Sequence, residues 1–153
     1  MQNQALPQLD ELYKEIILEH YREPHGRIPL EKIDYQAEGM NPLCGDEVKL
    51  SLQIKDRKIE KVHIEGHGCS ISVASGSMLA DILRGKTINE AKEIAKHLKN
   101  IMHDKTNGKT FMDIGDLEAL SGVKKFPVRI KCALLPWTTF EEALVGHEHV
   151  EIS

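Results

Sequence analysis

Two short runs of alternating residues constrain the fold of this chain more than any other feature. Val48, Leu50, Leu52 and Ile54 alternate with polar positions, a polar break follows at Asp56-Arg57-Lys58, and Ile59, Val62 and Ile64 resume the apolar pattern. A period of two puts successive side chains on opposite faces, so the runs predict an antiparallel hairpin with one wet face. Between Gly39 and Gly45 the chain is expected to loop into the first strand, and the second is expected to end at Gly66-His67-Gly68-Cys69. In an antiparallel pair the start of one strand and the end of the next share an edge, which brings Cys44, Asp46 and Cys69 to one place.

Helices are expected around this sheet. Leu9, Leu12, Tyr13, Ile16, Ile17 and Tyr21 recur at helical spacing before Pro24-His25-Gly26 and predict a first amphipathic helix packed on the sheet. A second, with a small-residue face, runs from Ser70 to Leu83 and stops at Gly85. Thr87-Ile88-Asn89-Glu90 has capping-box spacing and opens a third through about Met102. A polar loop, Asp104 to Lys109, leads to a short helix near Asp116 to Leu120, and Pro127 begins a last helix carrying Cys132 near its start, with Pro136 as a point for a kink. Trp137 and Phe140 are read as core. The 153 residues show no repeat or linker, which predicts one α+β domain over 1–153, a small antiparallel sheet packed against helices, with loose termini at about 1–6 and 147–153.

The chain has three cysteines, an odd number at wide and uneven spacing, which argues against a disulfide framework and for a reducing, cytoplasmic setting. No charged-then-apolar leader and no apolar run of membrane-crossing length is expected. A formal charge of −4 with dispersed basic residues excludes an electrostatic footprint for nucleic acid.

Each cysteine has two readings. One is a small buried hydrophobe. The other is a shared metal site, favoured because all three lie at a glycine turn or a helix start, where Cys44, Asp46, Cys69 and Cys132 make a four-point set for tetrahedral zinc. Cys69 at a helix amino end is placed where the dipole favours a thiolate. Asp46 is either a ligand or a turn cap beside Glu47, and His67 is the rival fourth ligand. His63 falls on the wet face of the hairpin, and the remaining histidines, including His147 and His149, are read as surface residues. Arg129 and Lys131 either form the wet face of the last helix or lower the thiol pKa and attract an anionic persulfide.

Three ordered motifs carry a resemblance. Asn41-Pro42-Leu43-Cys44-Gly45-Asp46, Gly66-His67-Gly68-Cys69-Ser70-Ile71-Ser72 and Lys125-Phe126-Pro127-Val128-Arg129-Ile130-Lys131-Cys132 together resemble the IscU/NifU N-terminal superfamily, and most closely its SufU branch. Lys131 stands where scaffold members carry a histidine, and Lys125 to Arg129 replace their chaperone-binding stretch. The resemblance implies zinc held by Cys44, Asp46, Cys69 and Cys132, and a sulfurtransferase half-reaction in iron-sulfur cluster assembly. In it Cys44 accepts persulfide sulfur from a SufS-type pyridoxal-phosphate cysteine desulfurase, with Arg129 assisting, after a partner histidine takes over one metal position. Cys44 then delivers the sulfur to a SufBCD-type complex. Two other functions are compatible with the same residues: a scaffold for a [2Fe-2S] cluster, since Cys/Cys/Cys/Asp also ligates iron, and a zinc-stapled activator of the desulfurase.

Overall fold

A computed structural model describes residues 10–105 and 114–152. The expected hairpin forms as β2 (Asp46–Lys55) and β3 (Lys58–His67), antiparallel, with Leu50 opposite Ile64 and Leu52 opposite Val62. Asp56 and Arg57 turn the chain with φ of 53° and 66°, the twist sense that two-residue hairpins require.

The sheet is larger than the hairpin. β1 (Tyr35–Asn41) pairs antiparallel with β2, and β4 (His149–Glu151) pairs parallel with β1, giving the order β3-β2-β1-β4. The sheet is therefore mixed rather than wholly antiparallel, and the stretch expected to loop from Gly39 is strand as far as Asn41. β1 escapes an apolar-period reading because its inward face is built from Ala37, Gly39 and Asn41. Small residues are needed there, since a Cβ at Gly39 would stand 2.0 Å from Thr139 Oγ1 on the last helix.

The helices are α1 (Glu11–Arg22), α2 (Ser70–Leu83), α3 (Ile88–Met102) and α4 (Pro127–Leu144), with a 3₁₀ segment over Gly115–Lys125. Thr87 and Glu90 form the expected capping box, satisfying two amino-terminal N–H groups. α4 runs through Pro136, and the residues 106–113 that include most of the expected polar loop lie outside those described. α2 and α4 cover one face of the sheet, where Val48, Leu50, Leu52, Ile59, Val62 and Ile64 meet Ile71, Leu79, Leu135, Trp137 and Phe140 in one core. Trp137 and Phe140 are fully buried.

α1 packs chiefly on α2 and the 3₁₀ segment, a second layer behind α2 rather than a lid on the sheet. α2 can carry this layer because it is built of apolar and small residues and is buried nearly all round, with Ser75, Gly76, Ser77 and Ala80 permitting close approach. The opposite face of the hairpin is not fully wet either. Gln53 is buried there, its Oε1 accepting the N–H groups of Glu31 and Lys32, and His63 Nδ1 lies 3.0 Å from the Ile28 carbonyl. Among the described residues no helix is long and apolar enough to cross a membrane.

Candidate metal centre

The turn between β1 and β2 presents Cys44. Asn41 and Asp46 are the last register pair of those strands, and the four residues between them close on the Cys44 N–H donating to the Asn41 carbonyl at 3.3 Å, with Gly45 at φ +72°. β3 ends at His67, one residue before Gly68, whose φ is +140°. A Cβ on Gly68 would fall 2.2 Å from Asp46 Oδ1, so glycine is required for β3 to hand over to α2 beside the carboxylate. Cys69 is the N-cap of α2, and Cys132 sits in the second turn of α4, fully buried.

These elements bring the expected residues together. Ligand atoms of Cys44, Asp46 and Cys132 all lie within 4.8 Å of one another, with Cys132 Sγ 3.4 Å from Cys44 Sγ. The Cys69 thiol stands outside that set, while its backbone N–H donates to Asp46 Oδ1 at 2.9 Å. Arg129 Nη1 is 3.8 Å from Cys44 Sγ. His67 is absent from the cluster: it is largely exposed and pairs with Glu47 at 3.0 Å. His63 lies on the face expected to be wet but is largely covered, 21% exposed with Nδ1 against the Ile28 carbonyl, and two other histidines read as surface residues are buried. His20 is held between α1, α2 and the 3₁₀ segment by partners on both ring nitrogens, and His97 lies on the inward face of α3.

Asn41 completes the cluster and was not singled out by sequence reasoning. Fully buried, it points Nδ2 at Asp46 Oδ2 (3.4 Å) and at Cys132 Sγ (3.8 Å), while its Oδ1 has no hydrogen-bond partner. Its signal was positional: it is the cross-strand partner of Asp46, which only the β1–β2 register reveals.

The electrostatics suit a cation. Asp46 is fully buried and, among the described residues, forms no ion pair with a basic side chain. A buried carboxylate facing three thiols is costly without a positive charge among them. The hydrogen bond from Cys132 brings Cys69 down from 9.0 to about 6, helped by N–H groups at the start of α2 and opposed by burial and by Asp46. Cys132 is pushed strongly upward by the same hydrogen bond, by burial and by the charges of Cys69 and Asp46. The two shifts favour ionisation at Cys69 before Cys132 in the metal-free centre. Three soft sulfurs and one hard oxygen, with Cys44, Asp46 and Cys132 already within 4.8 Å of one another and Cys69 hydrogen-bonded to Asp46 through its backbone, fit a thiophilic divalent ion such as zinc.

Comparison with known proteins agrees with this arrangement. The family model described as the NifU-like N terminal domain matches residues 12–133. The chain is 39% identical over 140 residues to the zinc-dependent sulfurtransferase SufU of Bacillus subtilis, covering 92% of this chain and 94% of the relative. It is 36% identical over 140 residues to the iron-sulfur cluster assembly scaffold protein IscU of Streptococcus pyogenes, covering 92% and 87%. A crystal structure of an iron-sulfur cluster assembly scaffold protein for the SUF system from Fervidobacterium islandicum superposes with a TM-score of 0.75 at 39% identity, covering 85% of this chain and 94% of that one. With its fold, its ordered cysteines and these likenesses in hand, the chain belongs to the NifU-like N-terminal domain family.

Proposed function

We propose that the protein is a zinc-dependent sulfur carrier for iron-sulfur cluster assembly, accepting sulfur on Cys44 from the persulfide of a pyridoxal-phosphate cysteine desulfurase of the SufS type. The observation that carries the proposal is the placing of Cys44: half-buried on a turn beside the exposed Leu43, with Arg129 at 3.8 Å and Cys132 at 3.4 Å. The zinc-dependent sulfurtransferase relative from Bacillus subtilis supports the same reading.

Cys44, Asp46, Cys69 and Cys132 are the residues that would hold the zinc, which supplies redox-inert Lewis acidity that keeps thiols ionised without consuming sulfane sulfur. Cys44 contributes the nucleophile. Its thiolate forms a bond to the outer sulfur of the donor persulfide while the donor S–S bond breaks, and the donor cysteine leaves as a thiolate. Cys44 becomes the persulfide and no net oxidation occurs. The Arg129 guanidinium stabilises the negative sulfur before and after transfer. Cys69, at the cap of α2, and the buried Cys132 on α4 stay in place, and Asn41 fixes the carboxylate of Asp46. The resemblance to the SufU branch supports a SufBCD-type acceptor downstream, and the free cysteines support a reducing, cytoplasmic setting. A [2Fe-2S] scaffold is the second reading, favoured by the likeness to the Streptococcus pyogenes scaffold and by a donor set that iron also accepts.

The test is alanine production by a SufS-type desulfurase with cysteine as substrate, zinc-loaded protein present and no iron added. Strong stimulation that disappears in Cys44→Ala supports the carrier. Stimulation only when iron is supplied returns the scaffold to first place, and full stimulation by Cys44→Ala leaves only an activating adaptor.

A further inference from the structure

At the opposite end of α2 from the cysteines lies a second cluster of ligating side chains that sulfur transfer does not use. His20 on α1, His25 just beyond that helix and Asp81 on α2 each offer a ligand atom, and these atoms all lie within 4.8 Å of one another. The imidazole rings of His20 and His25 are 4.9 Å apart between centroids. We propose that His20, His25 and Asp81, with Asp116 beside them, form a thiol-free site for a divalent first-row transition ion.

The donors are already oriented. His20 is 4% exposed, with Nδ1 2.7 Å from Ser77 Oγ and Nε2 2.8 Å from Asp116 Oδ2. Ser77 Oγ also accepts the backbone N–H of His25 at 2.8 Å, which pins the turn after α1 against α2. His25 Nδ1 is 2.6 Å from Asp81 Oδ2. Whichever nitrogen of His20 meets the ion, the other keeps a hydroxyl or carboxylate partner, the arrangement that fixes ring orientation at histidine metal sites. Imidazole and carboxylate donors without sulfur suit zinc, cobalt, nickel or iron(II) rather than a strictly thiophilic ion.

Charge and access point the same way. His20, Asp81 and Asp116 line a cavity of about 300 Å³, whose wall also carries Lys86. Two carboxylates against one ammonium leave a negative site, which a divalent ion compensates. The side chains of His25, Asp81 and Asp116 are 48%, 39% and 58% exposed, so an ion enters from solvent without opening the core. Asp81 lies twelve residues along α2 from Cys69, roughly 18 Å at the helical rise, so the two sites are separate. Because the donors come from α1, α2 and the 3₁₀ segment, an ion bound there ties the outer helical layer together and favours the folded state.

The test is a cobalt(II) titration of full-length protein whose cysteines already hold zinc, followed by visible absorption and by thermal unfolding. Expected is one further equivalent per chain, with d–d bands and no near-ultraviolet thiolate-to-cobalt band, and a rise in Tm. His25→Ala and Asp81→Asn, each with an unchanged circular dichroism spectrum, should weaken that binding by about tenfold or more and remove the Tm rise. Cobalt spectra that are all thiolate in character, no added equivalent, or binding indifferent to both substitutions would overturn the site. Since the thiolate band reports cobalt on the cysteines, displacement of zinc from that centre is seen separately from binding at this site.

Discussion

A buried carboxylate such as Asp46 needs compensation, and the groups around it show how little the protein alone provides: one backbone N–H from Cys69 and a long contact from Asn41. We expect Asn41→Ala to weaken zinc binding by about 10–100-fold, the usual cost of removing a group that orients a ligand, measured by competition with a chromophoric chelator. Unchanged affinity would remove Asn41 from the site. The cysteines make a second prediction at this scale. In the metal-free protein the first thiolate, on Cys69, should appear near pH 6 in the ultraviolet absorbance, and Cys69→Ser should abolish that step. A folded-state pKa depressed below the unfolded value contributes stability above the unfolded value, near 9, and loses it as pH falls through about 6. Absence of any thiolate signal below pH 8 would contradict the lowered pKa of Cys69.

Elements differ in how openly the sequence announces them. β2 and β3 alternate large apolar residues with polar ones, and α3 begins with a capping box, so both were legible from local chemistry alone. β1 was not, because its buried face must be small to admit α4, and smallness carries no period of two in hydrophobicity. α1 was legible as a helix, but its partner was not, since an apolar stripe says that a face is buried and not against what. A polar pin between α2 and α4 offers the test at this scale. Ser75 Oγ donates to the Ala133 carbonyl at 2.6 Å and accepts the Trp137 indole N–H at 3.1 Å, all within the core. Ser75→Ala leaves that buried N–H without a partner and should cost about 1–3 kcal/mol in chemical denaturation. A loss below a few tenths would show that the two helices do not depend on the pin.

At the scale of the whole molecule, the candidate ligands come from parts of the chain that meet only in the finished fold: the β1–β2 turn, the start of β2, the cap of α2 and the second turn of α4. The sequence reading named these four residues through the hairpin edge and the motif resemblance, and the fold brings Cys44, Asp46 and Cys132 within 4.8 Å of one another. It missed Asn41 and the burial of His20 because both depend on strand register and helix packing rather than on local pattern. An ion bound only by the native arrangement stabilises it by mass action, so chelation should lower Tm by several degrees and zinc should restore it. An unchanged Tm would mean that the cysteines do not hold the metal in the folded protein. The most direct measurement of the central claim is peptide mass after zinc-loaded, iron-free protein is mixed with a cysteine desulfurase and cysteine. One extra sulfur on the peptide containing Cys44, and none on those containing Cys69 or Cys132, is the predicted result; sulfur on either helix cysteine with Cys44 unmodified would contradict it.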